Sequence, residues 1–169
     1  MKRLLSQLAA LALAATSFAA ERPIPLDRAN VLPLALDEAF QFRKTKIFHN
    51  DPLILKPTVD AMIAFQRQRV NLGAVDQIDR QQRFGQYYTF FWRSARKADL
   101  TVRFEYRQQK LGAYVQAREL IYKNARGSYQ SDFRVLGDDY RGDGAVTAWR
   151  ALLVENGRVV ALNQSFLWN

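Results

Sequence analysis

All five prolines of this 169-residue chain fall between Pro23 and Pro57, and none follows. Proline has no backbone N–H and is kept out of central strands, so the stretch beyond Pro57 is the part free to build a sheet. Residues 20–57 read as an extended, Pro-rich arm. Within it, Leu34 to Phe42 fits one short helix, Ile47-Phe48 fits an edge strand, and Arg43, Lys44 and Lys46 fit a solvated turn.

The globular domain is expected over 58–169, beginning with an amphipathic helix over 58–72. Thr58 suits the N-cap, and Asp60 suits the positive end of the helix dipole. Val59, Met62, Ile63 and Val70 recur on one side at helical spacing, with Phe65 nearby. Arg67 and Arg69 occupy the last turn and Gly73 is the stop signal. Val75 to Phe84 is polar, and reads as a second short helix or a connector closed by Gly85.

From Gln86 onward the hydrophobic period is two. Tyr88, Phe90 and Trp92 alternate with Tyr87, Thr89 and Phe91, so this strand is apolar on both faces. Leu100, Val102, Phe104 and Tyr106 alternate with Thr101, Arg103, Glu105 and Arg107, which predicts one buried and one wet face. Tyr114 to Tyr122 and Tyr129 to Val135 give two further strands. Ala145 to Glu155 and Arg158 to Trp168 flank Asn156-Gly157. That dipeptide suits a type I′ turn, where both central residues need positive φ. The turn sets Glu155 opposite Arg158, Leu153 opposite Val160, Ala151 opposite Leu162 and Ala145 opposite Trp168.

Short strands joined by turns predict a mainly β fold, an antiparallel β-sandwich over 86–169. The order resembles an immunoglobulin-like or fibronectin-like sandwich in outline, without the Cys pair of true immunoglobulin domains. A helix on one curved antiparallel sheet is the second solution. An eight-stranded membrane barrel ranks behind both, because strand-length segments are too few and the helix has no place in it.

The first residues carry an address. Lys2 and Arg3 precede an apolar run from Leu4 to Ala15, and Ser17-Phe18-Ala19 puts small residues at −3 and −1 of a cleavage site. Residues 1–19 therefore read as a secretory signal peptide, which predicts a periplasmic or extracellular protein with no transmembrane span in the mature chain. Of 25 basic residues, Lys2 and Arg3 leave with this segment, so 23 face 16 acidic ones for a net of +7. Outside the cytoplasm the matching polyanion is an envelope surface or an anionic polysaccharide rather than nucleic acid. The chain has no Cys, which removes disulfides, thiolate metal sites and Cys nucleophiles.

Residues with chemical potential are scattered. His49 is the single His, with no nucleophile or orienting partner in sequence, and with no Cys it cannot build a His/Cys metal cluster. Asp138, Asp139 and Asp143 lie in the Gly-rich stretch Gly137 to Gly144, but Arg141 sits where a calcium ligand belongs, so a solvated connection is expected. Arg141-Gly142-Asp143 spells an integrin-type tripeptide and carries little information at three residues. Glu105, Glu119 and Asp132 would have to converge for glycoside cleavage; Glu105, among basic neighbours, reads as a surface ion-pair member. The candidate binding surface is Tyr87, Phe91, Trp149 and Arg150, an aromatic platform for sugar rings or a peptide.

With no nucleophile motif, phosphate loop or cofactor signature, the chain reads as an exported, non-enzymatic module with a binding or scaffolding role in the periplasm or cell envelope. The alternatives are a carbohydrate-binding or carbohydrate-cleaving domain built on the aromatic strand, and a subunit of an envelope assembly.

Overall fold

From Gly85 to Gln108 the chain runs as one strand, because Ser94 to Asp99 contains neither Gly nor Pro to end it. The computed structural model describes residues 22–51 and 59–168. In chain order it contains β1 (Ile24–Leu26), β2 (Phe40–Asn50), α1 (Ala61–Asn71), α2 (Gln77–Gln82), β3 (Gly85–Gln108), β4 (Val115–Leu136), α3 (Gly137–Asp143), β5 (Val146–Glu155) and β6 (Arg158–Gln164). A single 3-10 turn, Phe166–Trp168, follows. The protein is mainly β, and its strands form one six-stranded antiparallel sheet in the order β1-β4-β3-β5-β6, with β2 also paired to β3.

The two strands expected at Tyr87–Arg93 and Leu100–Arg107 are thus halves of β3, and those expected around Tyr114–Tyr122 and Tyr129–Val135 are halves of β4. β4 lines one edge of β3 along nearly its whole length. The other edge is shared: β2 pairs with Gly85–Ser94 and β5 with Thr101–Gln108.

Both long strands turn a corner at the same level. The β3–β4 register shifts between Ser94 and Leu100, opposite Ala125 and Gly127. On β4, Asn124 has φ 50° and Gly127 φ 101°, left-handed conformations that Asn tolerates and Gly adopts freely. Asp99 fastens the corner by accepting from the Asn124 N–H at 2.8 Å and from Lys123 Nζ at 3.2 Å. Irregularities of this kind increase local twist and bend a strand. The bend is large. Phe90 and Phe104 are fourteen positions apart, about 46 Å on a straight strand at ~3.3 Å per residue, yet their ring centroids lie 5.6 Å apart.

The sheet therefore folds over on its own apolar face. Tyr88, Phe90 and Trp92 of one half meet Leu100, Phe104 and Tyr106 of the other, with Phe133, Val135, Leu153 and Val160 completing the core. The buried Trp92 indole donates to Ser131 Oγ at 2.9 Å, and that hydroxyl lies 2.7 Å from the Tyr122 hydroxyl, so these three polar tips are satisfied.

The arm differs from expectation. Leu34 to Phe42 is not helical: Ala35 and Asp37 donate their N–H groups to Val159 and Val160, and Val159 donates to Pro33, so this backbone bonds to β6. The short edge strand expected at Ile47-Phe48 is the eleven-residue β2, and Arg43, Lys44 and Lys46 lie in it rather than in a turn. Long cations on an exposed strand edge reach solvent easily and discourage edge-to-edge pairing.

The helix also differs. α1 begins at Ala61 with Asp60 as N-cap, accepting from the Met62 and Ile63 N–H groups; Thr58 and the leader 1–19 lie outside the described residues. No residue of α1 is buried, so the stripe Val59, Met62, Ile63 and Val70 does not dock on the sheet as the spacing predicts. Contact is made instead by its C-terminal end, where Asn71 pairs with Asn50 of β2 and Arg83 donates to the Val70 and Leu72 carbonyls. On the outer face of β3 the rings that the stripe would meet have other neighbours, Phe48 and Arg134 beside Tyr87 and Lys46 beside Phe91.

The C-terminal hairpin has its turn where expected. Asn156 and Gly157 have φ 49° and 73°, as a type I′ turn requires, and Glu155 faces Arg158. Beyond Val154↔Val159 the register shifts by one residue, so Leu153 faces Ala161 rather than Val160 and Ala151 faces Asn163 rather than Leu162. That shift points Val159 outward toward Leu152 and Val154, while Val160 and Ala161 both join the core. β6 ends at Gln164, so Thr147 and Ala145 have no partners in Phe166 and Trp168.

A candidate anion-binding cleft

The four residues expected to form one binding surface are not brought together. Trp149 is on the inner face, its ring 5.4 Å from Phe90 and 6.1 Å from Tyr88, as part of the core boundary. Tyr87 and Phe91 are on the outer face of the first half of β3, and Arg150 is on the outer face of the second half, paired with Glu105. Of the four, Tyr87 lines a cleft.

This cleft, of about 380 Å³, opens between α1 and the outer face of β3 and β4. The helix side supplies Gln66, Arg69 and Val70, and the sheet side supplies Tyr87, Thr89, Asp132 and Arg134. Arg83 closes one end and is held there by its bonds to the α1 carbonyls, which also cap the helix C-terminus. Tyr87 donates its hydroxyl to the Arg83 carbonyl at 2.8 Å. Burial pushes that hydroxyl above its ordinary pKa, with Arg134 and Arg83 opposing the shift, so it is a neutral donor at physiological pH.

Charge in the cleft is unbalanced. Arg69, Arg83 and Arg134 face one acid, Asp132, whose oxygens already accept from Thr89 at 2.6 Å and Gln130 at 2.7 Å. Arg69 and Arg134 form no ion pair among the described residues. Such guanidinium groups are suited to bidentate recognition of carboxylate or phosphate. None of the three was legible as a site residue. Arg69 reads as a helix-end cation, Arg134 as the wet side of a strand, and Arg83 as part of a polar connector; only the fold superposes them.

The second concentration of charge is structural in its geometry. Glu105, expected at the surface, is 1% exposed. Arg150 Nε donates to its Oε2 at 2.6 Å, and Arg103 Nη1 lies 3.7 Å from its Oε1. Arg103 also pairs with Glu119 at 2.6 Å and donates to the Asn30 carbonyl at 3.0 Å, while Trp168 lies against Arg107 and Arg150 at 4.6 and 4.8 Å. This network ties Asn30 and Trp168 to the outer face of the sheet. Glu105 and Glu119 thus converge on Arg103, and Asp132 belongs to the other half of the sheet.

The remaining motifs settle into local structure. Gly137 to Asp143 is a helix rather than a loop, with Asp138 paired to Arg141 and Asp139 to Arg118. His49 meets the Gln86 amide at 3.1 Å. Among the described residues no three His, Asp or Glu side chains are grouped to hold a metal ion, and no helix is long and apolar enough to cross a membrane. Comparison of the chain with protein-family models, with curated proteins and with solved structures gives no match.

Proposed function

We propose that this chain is an exported, non-enzymatic binding module of β-sandwich type, in which the two halves of the bent sheet act as the layers and the cleft beneath α1 holds an anionic group. The observation that carries this reading is the pair Arg69 and Arg134, two cations without ionic partners facing each other across a cleft with one acid. An unpaired guanidinium is a strong donor, and a charge-assisted hydrogen bond contributes about 1.5–3 kcal/mol. The one carboxylate of the cleft, Asp132, is already occupied by Thr89 and Gln130, and the Tyr87 hydroxyl by the Arg83 carbonyl, which favours holding a ligand over transforming it.

Two soluble probes test the cleft: glycerol phosphate and an anionic polysaccharide such as polygalacturonate. Titration calorimetry is expected to show binding that weakens with added salt. Replacing both cations, Arg69→Ser with Arg134→Ser, is expected to weaken it at least about tenfold with the melting temperature held, since both side chains are at the surface. Unchanged affinity in the double variant refutes the cleft.

Export rests on Lys2, Arg3, the apolar run and Ser17-Phe18-Ala19. N-terminal sequencing of protein recovered outside the cytoplasm is expected to read from Ala20 or Glu21; retention of Met1 refutes cleavage.

A further inference from the structure

We infer that the anionic group held by this cleft belongs to a membrane phospholipid, and that α1 and α2 are the element by which the protein sits on a bilayer surface. The inference rests on the cleft reading above and adds the identity of the ligand.

α1 carries its hydrophobicity inside out. Asn71 is turned to the body and bonded there, whereas Met62, Phe65 and Leu72 are 73%, 59% and 76% exposed. Val75 and Ile78, in and before α2, are exposed as well. Soluble proteins rarely leave large apolar side chains grouped on one protruding element without a partner.

The positions of these side chains relative to the arginines select the partner. Met62, Ile63, Gln66 and Val70 follow helical spacing along one face of α1. Gln66 and Val70 line the cleft, so Met62 and Ile63 continue the same face beyond its mouth. Arg69 is seven residues from Met62, about 10 Å along a helix axis. An anionic lipid presents both chemistries together, a phosphate for the arginines and a hydrocarbon region for the exposed apolar side chains. The net charge of +7 that remains once Lys2 and Arg3 are removed favours approach to an anionic leaflet.

The experiment is co-sedimentation of the purified protein with vesicles of phosphatidylglycerol and phosphatidylcholine in equal parts, against vesicles of phosphatidylcholine alone. Binding to the anionic vesicles only is expected. Met62→Ser with Phe65→Ser is expected to weaken it about tenfold or more, as is Arg69→Ser with Arg134→Ser. Both pairs are exposed, and circular dichroism checks that the variants remain folded. Binding of soluble glycerol phosphate without binding of vesicles overturns this inference and leaves the cleft reading standing. Binding of neither overturns both. Equal binding to the two vesicle types, or vesicle binding indifferent to both variant pairs, also overturns it. So does a vesicle-indifferent dimer that Met62→Ser with Phe65→Ser separates, which assigns the face to a second copy of the chain.

Discussion

Truncating Phe104 to alanine is expected to lower the unfolding free energy by about 3–5 kcal/mol, measured by urea denaturation. Phe104 is fully buried, and it is where the bent sheet closes. Its ring lies 4.7 Å from Tyr88 and 5.6 Å from Phe90 on the first half of β3, and 5.0 Å from Tyr106 and 5.2 Å from Phe133. The surrounding rings belong to strands already locked by their ladders and cannot collapse fully into the space, so both transfer and cavity costs apply. Phe104→Leu is expected to cost less, because it keeps much of the volume. A loss below about 1 kcal/mol for Phe104→Ala would show that the two halves of β3 are not held together through this ring.

The neighbouring residue tests the other face. Glu105→Ala is expected to cost about 3–5 kcal/mol, because removing one member of a buried ion pair leaves the other uncompensated. Here Arg150 loses its carboxylate partner and Arg103, whose side chain is 11% exposed, is left with Glu119. Replacing Glu105, Arg103 and Arg150 together by Leu and Met is expected to recover much of the loss, since the desolvation cost disappears with the charges. Glu105→Ala also loosens the surface against which Asn30 and Trp168 are held, so faster proteolysis around these two residues is expected. Stability within about 1 kcal/mol of the parent would mean that water reaches these arginines freely.

Much of the local structure was legible in the chain. Alternation along Leu100–Arg107 picked out the inner face, and along Tyr87–Arg93 it separated the two apolar sets without saying which turns inward, because a pleated strand puts successive side chains on opposite sides whatever lies above them. Asn156-Gly157 located its turn, because few dipeptides accept positive φ twice. The end of α1 followed from Gly73, whose φ of 79° is open to glycine without strain. The stripe at Met62, Ile63 and Val70 is present as well, but periodicity says only that a face exists and not what covers it.

What lay beyond the sequence was every feature set by distant neighbours. Alternation across Ser94–Asp99 cannot reveal whether a strand ends or bends; partner positions Asn124 and Gly127, some thirty residues away, decide it. Glu105 reads as exposed because its neighbours in sequence are basic, and it is buried because Arg150, Asn30 and the C-terminal turn close over it. The same holds for the cleft. Arg69, Arg83 and Arg134 share no motif, since their positions are fixed by the Asn50–Asn71 pair, the helix cap and the β3–β4 register. The sequence by itself determined the alternating segments beyond Gln86 and the Asn156-Gly157 turn, through backbone constraints and side-chain period acting over a few residues. It did not determine β2, which reads as a helix end, a turn and a short edge. The bend, the buried charges and the cleft were decided only by the tertiary structure, because burial and electrostatic pairing depend on distances in space that one chain read in order does not contain.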